Sequence, residues 1–343
     1  MALGCKLPVA TAPTKRQFPR VIHDTSYSRP LTGADARAAL AQPGARALSG
    51  GTDALPLVKA GIDDPRHFVD LRHLPGADAI TPLPDGSLRI GAAARLADLA
   101  SHEVVRDRFA ALAESCASVG TPALRNMGTL GGNLGQRIRC WYFRRGVPCF
   151  KHGGDSCAAI DGENQYHAIF TDGTCHAVHP SDPAVALAAL EAEAVVDTPD
   201  GTARRVPVIS LYAGAAGNPH ADTVLAAGER IVAVEIPAAS AGGTQRYRKL
   251  MQRGAWDFAL VSLAAIKRAD GDVRLVLGGV AAGPVRVNPS IEEDVASGAL
   301  DEESVMALAE RALYDAAPLS HNRYKVQQAA SLLRDAMFAL SRA

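Results

Sequence analysis

The stretch LSGGTDAL, residues 48–55, decides how the first half of this chain is read. ARALSGG (45–51) reads as a short strand ending in glycines, and DALPLVKAG (53–61) as a helix with Thr52 or Asp53 at its N-cap. Between them Gly50 and Gly51 have no Cβ, so backbone N–H groups can close on an anion where the helix N-terminus adds positive potential. A second turn of this kind, GTLGGNLG (128–135), offers Thr129, Gly131, Gly132 and Asn133. Either alone is most simply a tight turn. Two in one domain, each flanked by hydroxyl or amide side chains, can clamp a diphosphate from opposite sides. The GxGxxG and GxxxxGK[ST] patterns are absent, so a dinucleotide here would sit on neither a Rossmann unit nor a P-loop.

Outward from these turns the chain alternates elements. HFVDL (67–71) and LRIGA (88–92) read as strands, while LADLASHEVVRDRFAALAESCAS (96–118) and DPAVALAALEA (182–192) carry helical spacing. Such interleaving argues for an α/β or α+β domain. From about residue 224 the texture changes. FALVSLAAIKRADGDVRLVLGGV (258–280) is two apolar runs around Asp270-Gly271, a hairpin signal. Two helices follow, DEESVMALAERALYDA (301–316) and NRYKVQQAASLLRDAMFAL (322–340). We expect an arm at 1–19, a first domain at 20–222 and a C-terminal domain at 223–343.

A chain of 343 residues has room for two or three domains, each with its own core. Net charge is zero, which gives no reason to expect nucleic acid as a partner. No apolar run is long enough for a membrane span, and residues 1–20 lack the apolar core of a secretory signal. A cytoplasmic chain is expected on these grounds, with its thiols reduced.

Four of the six cysteines, Cys140, Cys149, Cys157 and Cys175, are spaced C-x8-C-x7-C-x17-C. Paired zinc knuckles and the plant-type [2Fe–2S] spacing are both missing. Four separated thiolates on one loop fit a [4Fe–4S] cluster, which tolerates varied spacing. A mixed site using His167, His176 or His179, two disulfides, and unligated thiols remain as alternatives. Residues 137–178 have little periodic core, and coordination would supply order. Trp141, Tyr142 and Phe143 would shield a cluster or pack as core, and His152 and His176 would be nearby donors or solvated. Arg137, Arg139, Arg144, Arg145, Lys151 and His152 would compensate an anionic cluster or form a solvated basic face. Cys116, in an Ala-rich helix, reads as a small core residue.

Taken in order, LSGGTDAL, LRNMGTLGGNL, CWYFRRGVPCFKHGG, HPSDPAVAL, IVAVEIP and YRKLMQRGAWDFALVSLAAI resemble the FAD-binding medium subunit of the molybdenum hydroxylase (xanthine oxidase) family. The resemblance runs from about residue 20 to the C-terminus and is nearest to aldehyde oxidoreductase subunits with an inserted [4Fe–4S] loop. It implies an α+β fold: a two-subdomain FAD-binding domain of the vanillyl-alcohol-oxidase/CO-dehydrogenase flavoprotein type, plus a small C-terminal α+β domain of antiparallel sheet and helices. It implies FAD between two walls, one made by Ser49, Gly50, Gly51, Thr52, Asp53, Ala54 and Leu55, the other by Thr129, Gly131, Gly132 and Asn133. Ser181, Asp182 and Ile236 join the FAD-binding set, with Lys249 near the isoalloxazine edge. Cys140, Cys149, Cys157 and Cys175 match the cluster ligands. Simpler roles are a helix N-cap for Asp182, ahead of Pro183, and a solvated strand position for Lys249. Thr52 and Asp53 stand where many relatives of that flavoprotein type attach flavin through histidine, so non-covalent FAD is expected.

The resemblance also implies partners: a large molybdenum-cofactor subunit, a small subunit with [2Fe–2S] clusters, and an external electron acceptor. The chain would be an oxidoreductase subunit, inactive on substrate alone, and periplasmic if exported with a signal-bearing partner. The flavin subunit of a hydroxybenzoyl-CoA reductase is the related alternative. A zinc-stabilised binding protein without flavin is the unrelated one.

Overall fold

Parallel strands need a crossover, and the first two connections supply helices for it. In the computed structural model, which describes residues 24–171, 174–212 and 218–343, β1 (Ser26–Ser28), β2 (Ala45–Leu48) and β3 (His67–Asp70) form a parallel sheet in the order β1-β3-β2. Helices Gly33–Leu40 and Ala54–Lys59 make the crossovers. The arm at 1–19 lies outside the described residues.

A second sheet is antiparallel: β4 (Ile80–Pro82), β5 (Leu88–Gly91), β6 (Glu193–Asp197), β7 (Ala203–Pro207) and β8 (Arg230–Ile236), ordered β4-β5-β8-β6-β7. Its central strand β8 comes from beyond residue 222, so this sheet draws residues from both sides of the expected 222/223 boundary. A third sheet holds β9 (Thr244–Leu250), β10 (Val261–Lys267), β11 (Val273–Gly278) and β12 (Val285–Arg286), ordered β12-β11-β10-β9. The hairpin at Asp270-Gly271 is present, with Gly271 at φ +91°.

Strand β10 alternates between two cores, as a period of two requires. Val261, Leu263 and Ala265 face a core shared with helices Pro289–Ala296, Glu302–Ala312 and Tyr324–Leu340. Ala264 and Ile266 face the other core, which holds Leu88, Ile90 and Phe109 and the helix Asp182–Ala189. All eight residues of that helix are buried. Its alanines let it lie close against β10 and β11 of the third sheet on one side and helix Ala110–Ala117 on the other. Together these elements are the expected α+β arrangement.

Two local readings change. The helical spacing over 96–118 is cut into Leu96–Ser101, Glu103–Arg108 and Ala110–Ala117, because His102 and Phe109 leave helical geometry. The break lets Phe109 bury completely beside Leu99 and Leu112. Helix Pro289–Ala296 was not expected from PSIEEDVA, whose proline tolerates only the first turn. It starts on the Asn288 cap, which accepts from Ser290 N. Among the described residues, no helix is long and apolar enough to cross a membrane.

Candidate functional site

Strand β2 ends at Leu48, and the chain leaves the carboxyl edge of the parallel sheet through Ser49, Gly50 and Gly51 into helix Ala54–Lys59. Gly51 has φ +70°, and a Cβ on Gly50 would lie 2.0 Å from the Met127 carbonyl oxygen. Gly50 is therefore glycine because the backbone ahead of the second turn passes directly over it. Thr129 fixes that second turn: its Oγ1 accepts from Gly132 N at 3.3 Å and donates to Ser49 Oγ at 2.9 Å. Gly131 packs against the chain before helix Leu96–Ser101, where a Cβ would meet that of Ala92 at 2.7 Å. The two glycine turns are one hydrogen-bonded assembly. Among the described residues, no hydrogen bond engages the N–H groups of Gly50, Gly51 or Thr52, leaving them available to an anion.

Ser49, Gly50, Gly51, Thr52, Asp53, Ala54, Thr129, Gly131 and Gly132 all line one cleft of about 1370 Å³ between the first and second sheets. Drug-sized ligands occupy pockets of roughly 300–1,000 Å³, so this one suits a larger, dinucleotide-sized molecule. Leu55 and Asn133 do not line it; Leu55 is half-exposed beside Gly51, and Asn133 accepts from Ser181 Oγ at 2.6 Å. Every carboxylate lining the cleft has a cationic partner. Asp53 pairs with Arg139 at 2.8 Å and Arg144 at 2.9 Å, Asp222 with Arg137 and Lys151, and Glu229 with Arg204 at 2.7 Å. Burial pushes the Asp53 carboxyl up, but Arg139, Arg144 and the Arg137 N–H outweigh it and hold it below the ordinary range. Asp222 is likewise raised by burial and brought down further by Arg137 and Lys151. No unpaired negative charge opposes a diphosphate.

Ser181, Asp182 and Lys249 form a second group, outside that cleft's lining but tied to the second glycine turn through Asn133. Ser181, not Asp182, is the N-cap: its Oγ accepts from Ala184 N at 3.1 Å. Asp182 is buried and takes Lys249 Nζ at 2.7 Å on one oxygen and Tyr247 Oη at 2.5 Å on the other. Lys249 is no solvated strand residue; its side chain is 4% exposed. Tyr247 escaped the sequence reading, although it lies two residues before Lys249 on the same face of β9, as strand alternation requires. The Ser181–Asp182 corner lines a small hollow closed by Phe258, over whose ring the Arg139 guanidinium sits at 4.7 Å. Ile236 is fully buried in β8, opposite Leu88.

The cysteine segment folds as a helical turn Trp141–Arg144, a 3-10 turn Phe150–His152 and irregular chain. Cys140, Cys149, Cys157 and Cys175 line one small hollow together with Ile138, Phe143 and Lys151. All four are free thiols, so the disulfide alternative is not realised. Among the described residues, no group of three or more His, Cys, Asp or Glu side chains is drawn together as a metal site. His167 reaches Cys140 Sγ with Nε2 at 3.3 Å, and burial holds its pKa down to about 4, so the ring is neutral. His179 faces away, bonded to the Gln136 carbonyl at 3.0 Å and packed on Tyr212. Burial raises the Cys140 thiol to about 11 and Cys175 upward, whereas His176 overcomes burial to lower Cys157. Phe143 is core; Cys116 is fully buried, as expected. Arg137, Arg139, Arg144 and Lys151 pair with Asp53 and Asp222; Asp53 lies in the first glycine turn, whereas Asp222 had no recognisable motif around it.

A parallel sheet opening through a glycine turn, a second glycine turn bonded to it, and a dinucleotide-sized cleft define an α+β cofactor-binding protein. Residues 22–239 match the family model described as the FAD binding domain in molybdopterin dehydrogenase. The chain belongs to that family, and it is an oxidoreductase subunit that binds FAD. It is 39% identical over 305 residues to the aldehyde oxidoreductase FAD-binding subunit PaoB of Escherichia coli (strain K12), covering 88% of this chain and 93% of that one. It is 27% identical over 325 residues to the carbon monoxide dehydrogenase medium chain of Hydrogenophaga pseudoflava, covering 91% and 96%. A solved structure of carbon monoxide dehydrogenase from Hydrogenophaga pseudoflava superposes with a TM-score of 0.69 at 25% identity, over 92% of this chain and 98% of that one. Membership of an FAD-binding family leaves no support for a zinc-stabilised protein without flavin.

Proposed function

We propose that this chain is the FAD- and [4Fe–4S]-binding electron-transfer subunit of a molybdenum-containing aldehyde oxidoreductase. Electrons from aldehyde oxidation at a large molybdenum subunit would come through the [2Fe–2S] clusters of a small subunit and leave to an external acceptor. The observation that carries the reading is the Ser49–Thr129 bond, which joins the two glycine turns along one dinucleotide-sized cleft. The 39% identity to an aldehyde oxidoreductase FAD-binding subunit supports the aldehyde class over the hydroxybenzoyl-CoA reductase alternative.

Within this reading, the free N–H groups of Gly50, Gly51 and Thr52 bind the diphosphate, and Thr129 keeps them aimed. Ser181, Asp182 and Lys249 orient the isoalloxazine end, with Tyr247 and Lys249 holding Asp182 on both oxygens. FAD supplies the electron-carrying chemistry; the protein positions and tunes it. Cys140, Cys149, Cys157 and Cys175, facing one hollow lined by Ile138 and Phe143, have the donor type and number that a [4Fe–4S] cluster requires. Binding it would displace the thiol protons that burial retains on Cys140 and Cys175.

An anaerobic visible spectrum, with iron, sulfide and released flavin quantified on the same sample, tests the proposal. About four irons, four sulfides and one non-covalent FAD per chain are expected. FAD without iron would remove the cluster and leave the flavoprotein. Neither group in a folded sample would refute the proposal.

A further inference from the structure

Four cationic residues of the cysteine segment, Arg137, Arg139, Arg144 and Lys151, do not form a surface patch, whereas Arg145 is exposed. The four converge on two carboxylates, Asp53 and Asp222, and both carboxylates line the cleft. Asp53 follows the first glycine turn. One oxygen takes Arg137 N at 2.8 Å; the other takes Arg139 and Arg144. Arg144 also donates to the Ile138 and Arg137 carbonyls, so it ties Asp53 to the chain leading into Cys140. Asp222, linked to Asp53 through Arg137, takes Lys151 Nζ at 2.6 Å. Lys151 is 2% exposed and lines the cysteine hollow. Arg137 joins Asp222 to that hollow by lying over the Phe143 ring at 4.7 Å. Leu57 completes the shared wall, touching the cleft on one side and packing with Cys140 and Phe143 on the other.

We infer that Asp53 and Asp222 are positioning residues that couple the cysteine segment to the cleft: the cysteine segment must be ordered for the cleft to hold FAD. The inference rests on the flavin reading above, but not on which metal the cysteines take. A buried carboxylate that loses its cation must turn to water or move. At Asp53 that movement carries the first glycine turn with it, and at Asp222 it carries the neighbouring lining residues Ala221 and Thr223. Coupling between binding sites is reciprocal. Bound FAD therefore protects the cysteine segment as much as the segment protects FAD.

The test uses Lys151→Met and Arg144→Ala in the full-length chain, because neither side chain lines the cleft and any loss of FAD must be transmitted. Weakening of FAD binding by about 5- to 150-fold is expected, the usual span for coupled sites. Lys151→Arg, which keeps the charge, should restore most of the affinity. Circular dichroism separates loss of fold from loss of coupling. On the unaltered chain, without metal, added FAD should slow alkylation of Cys149 and Cys157, a measurement that needs no variant. Unchanged alkylation, with both folded variants binding FAD within two-fold of the parent, would overturn the coupling and leave the flavin reading intact. A parent chain that takes up no FAD would instead sink the flavin reading, and the coupling with it.

Discussion

Replacing Gly50 by alanine should do more harm than any other single methyl added to the glycine turns. The new Cβ would stand 2.0 Å from Met127 O, 2.8 Å from Met127 C and 3.0 Å from Gly128 Cα, all backbone atoms that cannot rotate aside. Real Cβ contacts essentially never fall under 3.0 Å, so the two turns must part by about 1 Å. The Ser49–Thr129 bond starts at 2.9 Å, and the same movement takes it out of hydrogen-bonding range. Overpacking costs about 1–3 kcal/mol and the lost bond about 1 kcal/mol. The total of about 2–4 kcal/mol divides between fold stability and FAD affinity, with 1.4 kcal/mol worth about ten-fold in binding. Gly135→Ala is the control, since it ends the second turn and its one near contact is Gly131 O at 3.3 Å. Thermal melting of the flavin-free chain and FAD titration by flavin fluorescence measure both parts. If Gly50→Ala melts and binds FAD like the parent, the two turns do not form the closed wall described above.

Other consequences follow from buried charge. Asp182→Asn leaves the Lys249 ammonium buried without its anion and should destabilise the chain by about 3–5 kcal/mol, while adding Lys249→Met should recover part of that loss. Urea unfolding of the double-mutant cycle measures it, and simple additivity would argue against the pair. Lys325 is fully buried and donates to the carbonyls of Tyr166, His167 and Gly279. Burial lowers its pKa from 10.5 to about 7, so the unfolded chain binds the extra proton between those values. The lysine's contribution to stability therefore rises as pH climbs through about 7 toward 10.5, and it is least favourable below that window. The melting temperature of the parent minus that of Lys325→Met should grow from about pH 6.5 to about pH 9; a flat difference would mean that the three carbonyls keep the ammonium charged. In metal-free chain, alkylation at mildly alkaline pH should, among the described cysteines, reach Cys157 first and Cys116 last, because His176 lowers one thiol and complete burial raises the other. Peptide mass spectrometry reads the order, and early labelling of Cys116 would contradict its place in the core.

Much of this molecule was legible in one dimension wherever the physics is local. A glycine at the end of a strand and a Ser or Thr before a helix are constrained within a few residues. LSGGTDAL, GTLGGNLG and the hairpin at Asp270-Gly271 could therefore be read directly, while the cap ahead of PAVALAAL was placed one residue late, at Asp182 instead of Ser181. The donor type of the four cysteines was also local, and so was the absence of a long apolar helix among the described residues. What only the tertiary structure decided is contact between segments distant in the chain. No window around Asp222 signals that it meets Arg137 and Lys151, and none around Asp53 that it gathers Arg139 and Arg144. Strand β8 looks like any apolar strand, yet it completes a sheet begun before residue 91. Lys249 reads as a solvated position until folding sets Asp182 against it. An apolar period says that a residue is buried, and a charge says that it needs a partner. Which partner it finds is set by three-dimensional packing, because burial energy depends on the area covered and ion pairing on the distance reached, neither of which sequence separation records.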